Sequence, residues 1–411
     1  MSFQQGLSGL NAASKNLDVI GNNVANASTV GYKLSQAKFA DVFANTLNGS
    51  GGTQIGIGTK ISTVAQQFSQ GNITVTNNPL DIAINGKGFY RLSNNGAISY
   101  ARNGQFQLDK SGYIINGDGL RLTGYVANSS GVLNTAVPQE LQIPASDLSP
   151  NPTSKVGAVI NVDSRATALA PASFDLTDPA TYNYSTSVAV YDSLGSSHTL
   201  SLYFVKDSGV ASGLAWQVFA ASDGTQVGSA AVGTLTFNSN GAIDTTATTL
   251  PFSLSVPVTT GATTPLDFNL DFAGSTQFGS GFGVNALSQD GYTSGRLSGF
   301  SVGADGMILG RYTNGQSGSL GQVILANFTN PQGLQPLGNN GWAETSDSGP
   351  PLIGAPGSGS LGVLQSAAVE DSNVDLTAEL VNMITAQRVY QANAQSIKTQ
   401  DAVLQTLVNL R

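Results

Sequence analysis

His198 is the one imidazole in this 411-residue chain, and no cysteine accompanies it. A histidine metal cluster, a thiolate nucleophile and a disulfide framework are therefore excluded, as is a Ser-His-Asp triad built anywhere else. His198 follows the polar run Asp192-Ser193-Leu194-Gly195-Ser196-Ser197. No second catalytic partner is identifiable beside it, so an exposed side chain at a polar turn is the plainer reading. Asp175, Asp178, Asp192, Asp267 and Asp271 offer carboxylates of the kind glycoside hydrolysis uses, but no motif sets two of them at a working separation. Asp267 and Asp271 flank an alternating run, Phe268-Asn269-Leu270, and read as outward strand positions. Gly86-Lys87-Gly88 lacks the GxxxxGK[ST] spacing of a phosphate loop, and strand signals follow where a helix should open, so it reads as a turn. No D-x-[DN]-x-[DN]-G calcium loop occurs. These residues point away from an enzyme and call for no cofactor and no metal.

The composition explains why chemistry is so sparse. Charged residues are 10% of the chain, against roughly 25% in an ordinary soluble domain. Glycine occurs 49 times, which favours short strands joined by tight turns. A net charge of −8 argues against nucleic acid and anionic membrane as partners, since both need a basic footprint. No run of 18 apolar residues is present, so no membrane insertion is expected. The segment Met1 to Gly6 lacks the basic start and apolar core of a cleaved signal peptide.

Helical periodicity lies only at the two ends. Phe3, Leu7, Leu10, Ser14, Leu17, Gly21 and Val24 recur at spacings of four and three, with Val19, Ile20 and Ala27 broadening the stripe. That helix is expected to end near Asn26. The second series is Leu376, Leu380, Met383, Gln387, Tyr390, Ala394, Ile397, Asp401, Leu404 and Val408, with Ile384 beside it and no Pro or Gly from 373 to 411. Such a helix would be roughly 50 Å long. Ser372-Asn373-Val374-Asp375 resembles a capping box at its start. The predicted assembly residues are Leu7, Leu10, Leu17, Ile20 and Val24 on the first helix and Leu376, Leu380, Met383, Ile384, Tyr390, Ala394, Ile397, Leu404 and Val408 on the second. An isolated helix pair buries little, so the two ends are expected to order only when copies meet.

Between the ends the chain reads as strand and turn. Residues 32–47 read as partly helical or extended, and Asn48 to Gly52 as a flexible tip. Leu80, Ile82 and Ile84 alternate with Asp81, Ala83 and Asn85 as a strand. A short pattern recurs three times: Phe106-x-Leu108 with Gly112 and Ile114, Leu235-x-Phe237 with Gly241 and Ile243, Phe300-x-Val302 with Gly306 and Ile308. Each copy predicts a hairpin whose glycine supplies a positive φ. Prolines at 138, 144, 150 and 152 and a glycine-rich stretch from Gly274 to Gly283 bound an inserted all-β segment.

The end segments also carry wording. Ser8-Gly9-Leu10-Asn11-Ala12-Ala13, Asn22-Asn23-Val24-Ala25-Asn26 and Val30-Gly31-Tyr32-Lys33, together with Ser372-Asn373-Val374-Asp375-Leu376 and Ala386-Gln387-Arg388-Val389-Tyr390-Gln391-Ala392-Asn393, resemble the terminal signatures of the bacterial flagellar rod, hook and hook-associated axial protein family. Asn78-Pro79-Leu80-Asp81, Tyr100-Ala101-Arg102-Asn103-Gly104 and Asn327-Phe328-Thr329-Asn330-Pro331 resemble that family's shared β domain. Distal rod members are considerably shorter, and the insert near 146–285 resembles what hook members add.

The resemblance implies a mainly β fold, with two or three antiparallel β domains in the centre and the terminal helices paired as a coiled-coil-like inner domain. The expected division is 1–26 with 373–411 as inner domain, 27–72 with 361–372 as connectors, 73–145 with 286–360 as middle β domain, and 146–285 as outer domain. It implies a helical homopolymer forming a curved tube that passes torque from rod to filament. Implied partners are further copies of the chain, the distal rod protein, the hook–filament junction protein, the hook cap protein and the flagellar type III export apparatus. The implied location is extracellular, in the flagellum. A distal rod or junction subunit is the rival within the family. A secreted β-rich adhesin and a glycosidase are rivals outside it, and neither explains helical stripes at both termini.

Overall fold

The computed structural model describes residues 2–42, 56–128, 131–144 and 146–409. Two helices sit at the ends of an otherwise β chain: α1 (Ser2–Ala25) and α2 (Leu376–Asn409). After α1 come β1 (Ser35–Val42) and β2 (Gly58–Gln66), which pair antiparallel with a bulge between Lys38 and Phe39. Residues 35–42 are thus extended, with no helix; Lys38 to Val42 contains no helical apolar period, and Phe39 faces solvent on the ladder. The expected flexible tip at 48–52 lies outside the described residues.

The chain forms two compact units, 1–145 with 299–310 and 317–411, and 146–298 with 311–316. In the first, early and late segments are stitched together by short ladders. β3 (Ile73–Val75) pairs Ala368–Glu370, and β4 (Ile82–Asn85) pairs Val363–Ser366. Ile82, Ala83 and Ile84 are all buried, so the alternation at β4 does not separate an inner from an outer face. Phe89, Tyr100, Phe328 and Trp342 form the adjoining core, with Phe68 packed against it. Their rings meet edge to face at 4.8 to 6.0 Å between centroids, the arrangement aromatic quadrupoles favour.

The second unit packs two sheets around one core that includes Val156, Ile160, Leu202, Phe204, Trp216 and Phe268. Strand Lys155–Asp163 runs parallel to both Leu266–Asp271 and Thr276–Phe278 and antiparallel to Gly283–Gln289. Asp267 and Asp271 point outward, as expected.

The three recurrent hairpins form with the same geometry. Gly112, Gly241 and Gly306 have φ of 83, 78 and 81°. Their N–H groups donate to Asp109, Asn238 and Gly303 at 3.0, 2.9 and 3.0 Å. The glycine occupies the left-handed position that a side chain would strain.

Two expectations need correction. The start of α2 is capped by Asp375 alone: its Oδ1 accepts from the N–H of Thr377 at 2.9 Å and of Ala378 at 3.1 Å. Ser372 instead accepts from its near neighbour Val374, since it lies one turn too early to reach the helix. His198 is buried at 7%, not exposed. It shares strand parity with Leu200, Leu202 and Phe204, which all face the core.

Candidate assembly surface

Helices α1 and α2 lie antiparallel, and small residues bring them close. A Cβ added to Gly6 would stand 3.0 Å from Ile397, and one added to Gly9 would stand 2.7 Å from the Asn393 amide. Ala13, Ile20 and Ala386 complete the buried seam. At the far end of the pair Asn23 is buried and fully satisfied. Its Nδ2 donates to Glu379 Oε2 at 3.0 Å and to the Ser35 carbonyl at 2.8 Å, while its Oδ1 accepts from the Ser35 N–H at 3.0 Å and from the Tyr32 hydroxyl at 3.1 Å. One amide thus ties α1, α2 and β1 together.

This buried seam is offset by one position from the apolar series in the sequence. Ile20 is buried, and Leu10, Leu17, Val24, Met383, Ala394 and Ile397 are half-buried at its flanks. Leu7, Leu376, Leu380, Ile384, Tyr390 and Leu404 are exposed, with Leu380 at 43% and Ile384 at 51%. The side chain of Val408 lies outside the described residues. The chain therefore satisfies its helices on glycine and alanine, and leaves a leucine-rich stripe uncovered. A single exposed leucine is ordinary, but a helical row of them marks an interaction face.

A cavity of about 680 Å³ opens between the two helices and β1. Among the described residues that line it Glu379 is the one that is charged, and its carboxylate is already engaged by Asn23 and Asn382. A half-apolar groove whose single carboxylate is already bonded suits a protein segment better than an ionic ligand. Among the described residues no cluster of three metal-binding side chains occurs, and no helix is long and apolar enough to cross a membrane.

Below the helices, Glu370 joins the start of the C-terminal segment to the rest of its unit. Its oxygens bond Lys33 Nζ at 2.8 Å and Arg102 Nε at 2.6 Å, and it also accepts from the Gly71 N–H at 2.9 Å. Burial alone would raise the Glu370 carboxyl, but the two cations hold it below the ordinary carboxylate range. Arg102 also donates to the carbonyls of Gly86 and Gly88. The Gly86-Lys87-Gly88 turn thus aims carbonyl oxygens at a guanidinium, the opposite polarity to a phosphate cradle. Sequence periodicity could not reveal Asn23, Glu379, Lys33, Arg102 or Glu370, because none is apolar and their partners are distant in the chain.

Family models match most of the chain in order. One described as "Flagella basal body rod protein" covers residues 3–33 and "Flagellar hook protein FlgE/F/G D1 domain" covers 83–166. "Flagellar basal body protein FlaE D2 domain" covers 161–292, and "Flagellar basal body rod FlgEFG protein C-terminal" covers 365–410. The flagellar hook protein FlgE of Salmonella typhimurium is 42% identical over 421 residues, with all of both chains covered. That of Escherichia coli is 42% identical over 420 residues, again with both covered in full. That of Borreliella burgdorferi is 31% identical over 445 residues, covering 100% of this chain and 99% of that one. The crystal structure of the Helicobacter pylori hook protein FlgE2 superposes with a TM-score of 0.51 at 15% identity, over 71% of this chain and 99% of the other, which shows a shared fold. With full-length identity at this level and stripes of uncovered apolar side chains on both end helices, the chain belongs to the flagellar hook protein FlgE family, whose members are structural subunits and not enzymes.

Proposed function

We propose that this hook subunit polymerises helically through its terminal helices into a curved, flexible tube that carries torque from rod to filament. The observation that carries this is the exposed stripe Leu376, Leu380, Ile384 and Leu404, left open while α1 and α2 pair through smaller residues. Helix packing at the inner wall would resist twist. Weakly charged β surfaces, poor in ion pairs that could lock one register, would let neighbours slide as the tube bends. In this reading 1–26 with 373–411 form the inner domain, 73–145 with 286–360 the middle domain, and 146–285 the outer domain that sets curvature. The ends of the tube would meet the distal rod protein and the junction protein, with the cap protein present during growth. The cysteine-free chain suits export through the flagellar type III apparatus to the cell exterior, without a cleaved signal.

The test is polymerisation of the purified full-length chain into tubes visible by electron microscopy, with a chain lacking 1–30 and 373–411 staying monomeric. Equal polymerisation of both would overturn the role of the helices.

A further inference from the structure

The two helices of the pair are unequal in reach. Gly6 stands against Ile397. Stepping back four residues to Ser2, where α1 begins, advances four residues along α2 to Asp401. From Asp401 to Asn409 the helix therefore runs on past its partner, an overhang of about 13 Å at 1.5 Å per residue. Val403 and Leu404 on it are 49% and 54% exposed, and residues 401–406 are exposed throughout. A continuous helix cannot fold back, so the overhang points away from the groove that its own chain forms.

We propose that the overhang of α2 from one copy seats in the groove between α1, α2 and β1 of the next copy. This rests on the polymer reading above and names the two patches it uses. The groove has about 680 Å³ of room, small walls at Gly9, Ala12 and Ala386, and an apolar residue, Phe39, that is 40% exposed. Room of that size against small residues is what a helix needs to approach another backbone closely. Charge opposes this little: Glu379, the one carboxylate among the described residues of the groove, is bonded by the Asn23 and Asn382 amides, and the single charge of residues 401–409, Asp401, stands at the base of the overhang. Symmetry decides between a dimer and a filament. A patch that meets its own copy closes a two-fold pair, whereas overhang into groove joins two different patches and repeats without closing. The copy at one end then has a filled groove and a free overhang, the property a growing tube end requires.

The chain has no cysteine, so a pair can be introduced cleanly. In full-length chains carrying Ala12→Cys with Leu404→Cys, tubes oxidised and then denatured should run as a ladder of dimers and higher oligomers without reductant. A second pair, Thr385→Cys with Val403→Cys, covers the event that Ala12 tolerates no larger side chain. Tubes that form in both variants yet dissolve to monomers after oxidation would overturn this contact and leave the polymer reading standing. A wild-type chain that forms no tubes would overturn the polymer reading, and this contact with it.

Discussion

Glu370 receives Arg102 Nε at 2.6 Å across a sequence separation of 268, with side chains 1% and 4% exposed. The same carboxylate neutralises Lys33 at 2.8 Å, whose side chain is 1% exposed. One buried anion thus answers two buried cations, drawn from the segment after α1, the β core and the segment before α2. Removing the anion leaves both buried cations with carbonyl partners alone and no countercharge.

The first prediction follows from that inequality. Glu370→Gln keeps the shape and removes the charge, and breaking a buried pair from one side costs about 3–5 kcal/mol. Denaturant unfolding followed at Trp342, in the same unit, should show a lower midpoint. Trp216, in the other unit, should report little change. An unchanged Trp342 transition would mean that the triad contributes no net stability.

His198 gives the pH dependence. Its Nδ1 lies 2.7 Å from Asp223 Oδ2 and its Nε2 3.3 Å from Asp192 Oδ2, so only the doubly protonated ring can donate to both. Burial by itself would lower the imidazole value; the two carboxylates outweigh it and raise the value above the ordinary 6.5. A folded-state value above the unfolded one stabilises most fully below the unfolded value, and that stabilisation fades as pH rises through the folded value. Burial opposes the ionised Asp192, yet bonds from Thr260, Ser196, His198 and Leu194 hold it down to about 2, so its own contribution is lost only as pH falls from 3.8 towards that figure. The stability of a Trp342→Phe chain, followed by its unfolding at Trp216, should therefore fall as pH climbs past the imidazole range. His198→Leu should flatten that slope; a slope that persists would assign it to other groups.

Asn23 makes the third prediction. Its amide satisfies the backbone of Ser35 in both directions and one oxygen of Glu379. Asn23→Ala strands those groups, at about 1–3 kcal/mol for a buried unsatisfied partner. The local result should be faster amide exchange at Ser35 and along α2 near Glu379, with the β core unaffected. Equal protection in the variant would show that water replaces the amide.

Much of this arrangement is legible from residue order. Apolar recurrence finds both helices, and the three glycines at 112, 241 and 306 find three hairpins with one geometry. What fails is the phase of the helix seam. Gly6, Gly9 and Ala13 have little hydrophobic signal, so periodicity selects the leucines beside them. Close approach, not hydrophobic mass, decides which face turns inward. His198 fails differently: strand parity with Leu200 and Leu202 places it inside, but the polar run before it argues for a turn. The Lys33–Glu370–Arg102 triad has no local signal at all, because its members meet only once β3 pairs with residues 368–370 and brings the chain ends together.

The offset between the two stripes separates folding from assembly, and a substitution can test each alone. Leu380 and Ile384 lie on the uncovered face, so Leu380→Ser with Ile384→Ser removes little intrachain packing. Surface changes of this kind alter monomer stability by about 0.5 kcal/mol or less. In a tube the same side chains would be buried, and each loss there is worth about 1.5–3 kcal/mol per subunit contact. Since every subunit in the polymer repeats the contact, the critical concentration for tube formation should rise at least tenfold, with the thermal midpoint of the monomer unchanged. Ala13→Asp, on the buried seam, should do the reverse and lower the helix signal of the monomer itself. If the double serine variant polymerises at the wild-type concentration, the outward stripe is not the assembly face, and the contact falls to the other exposed apolar patches, the α2 overhang at Val403 and Leu404 or the β1–β2 ladder at Phe39, Ile61 and Val64.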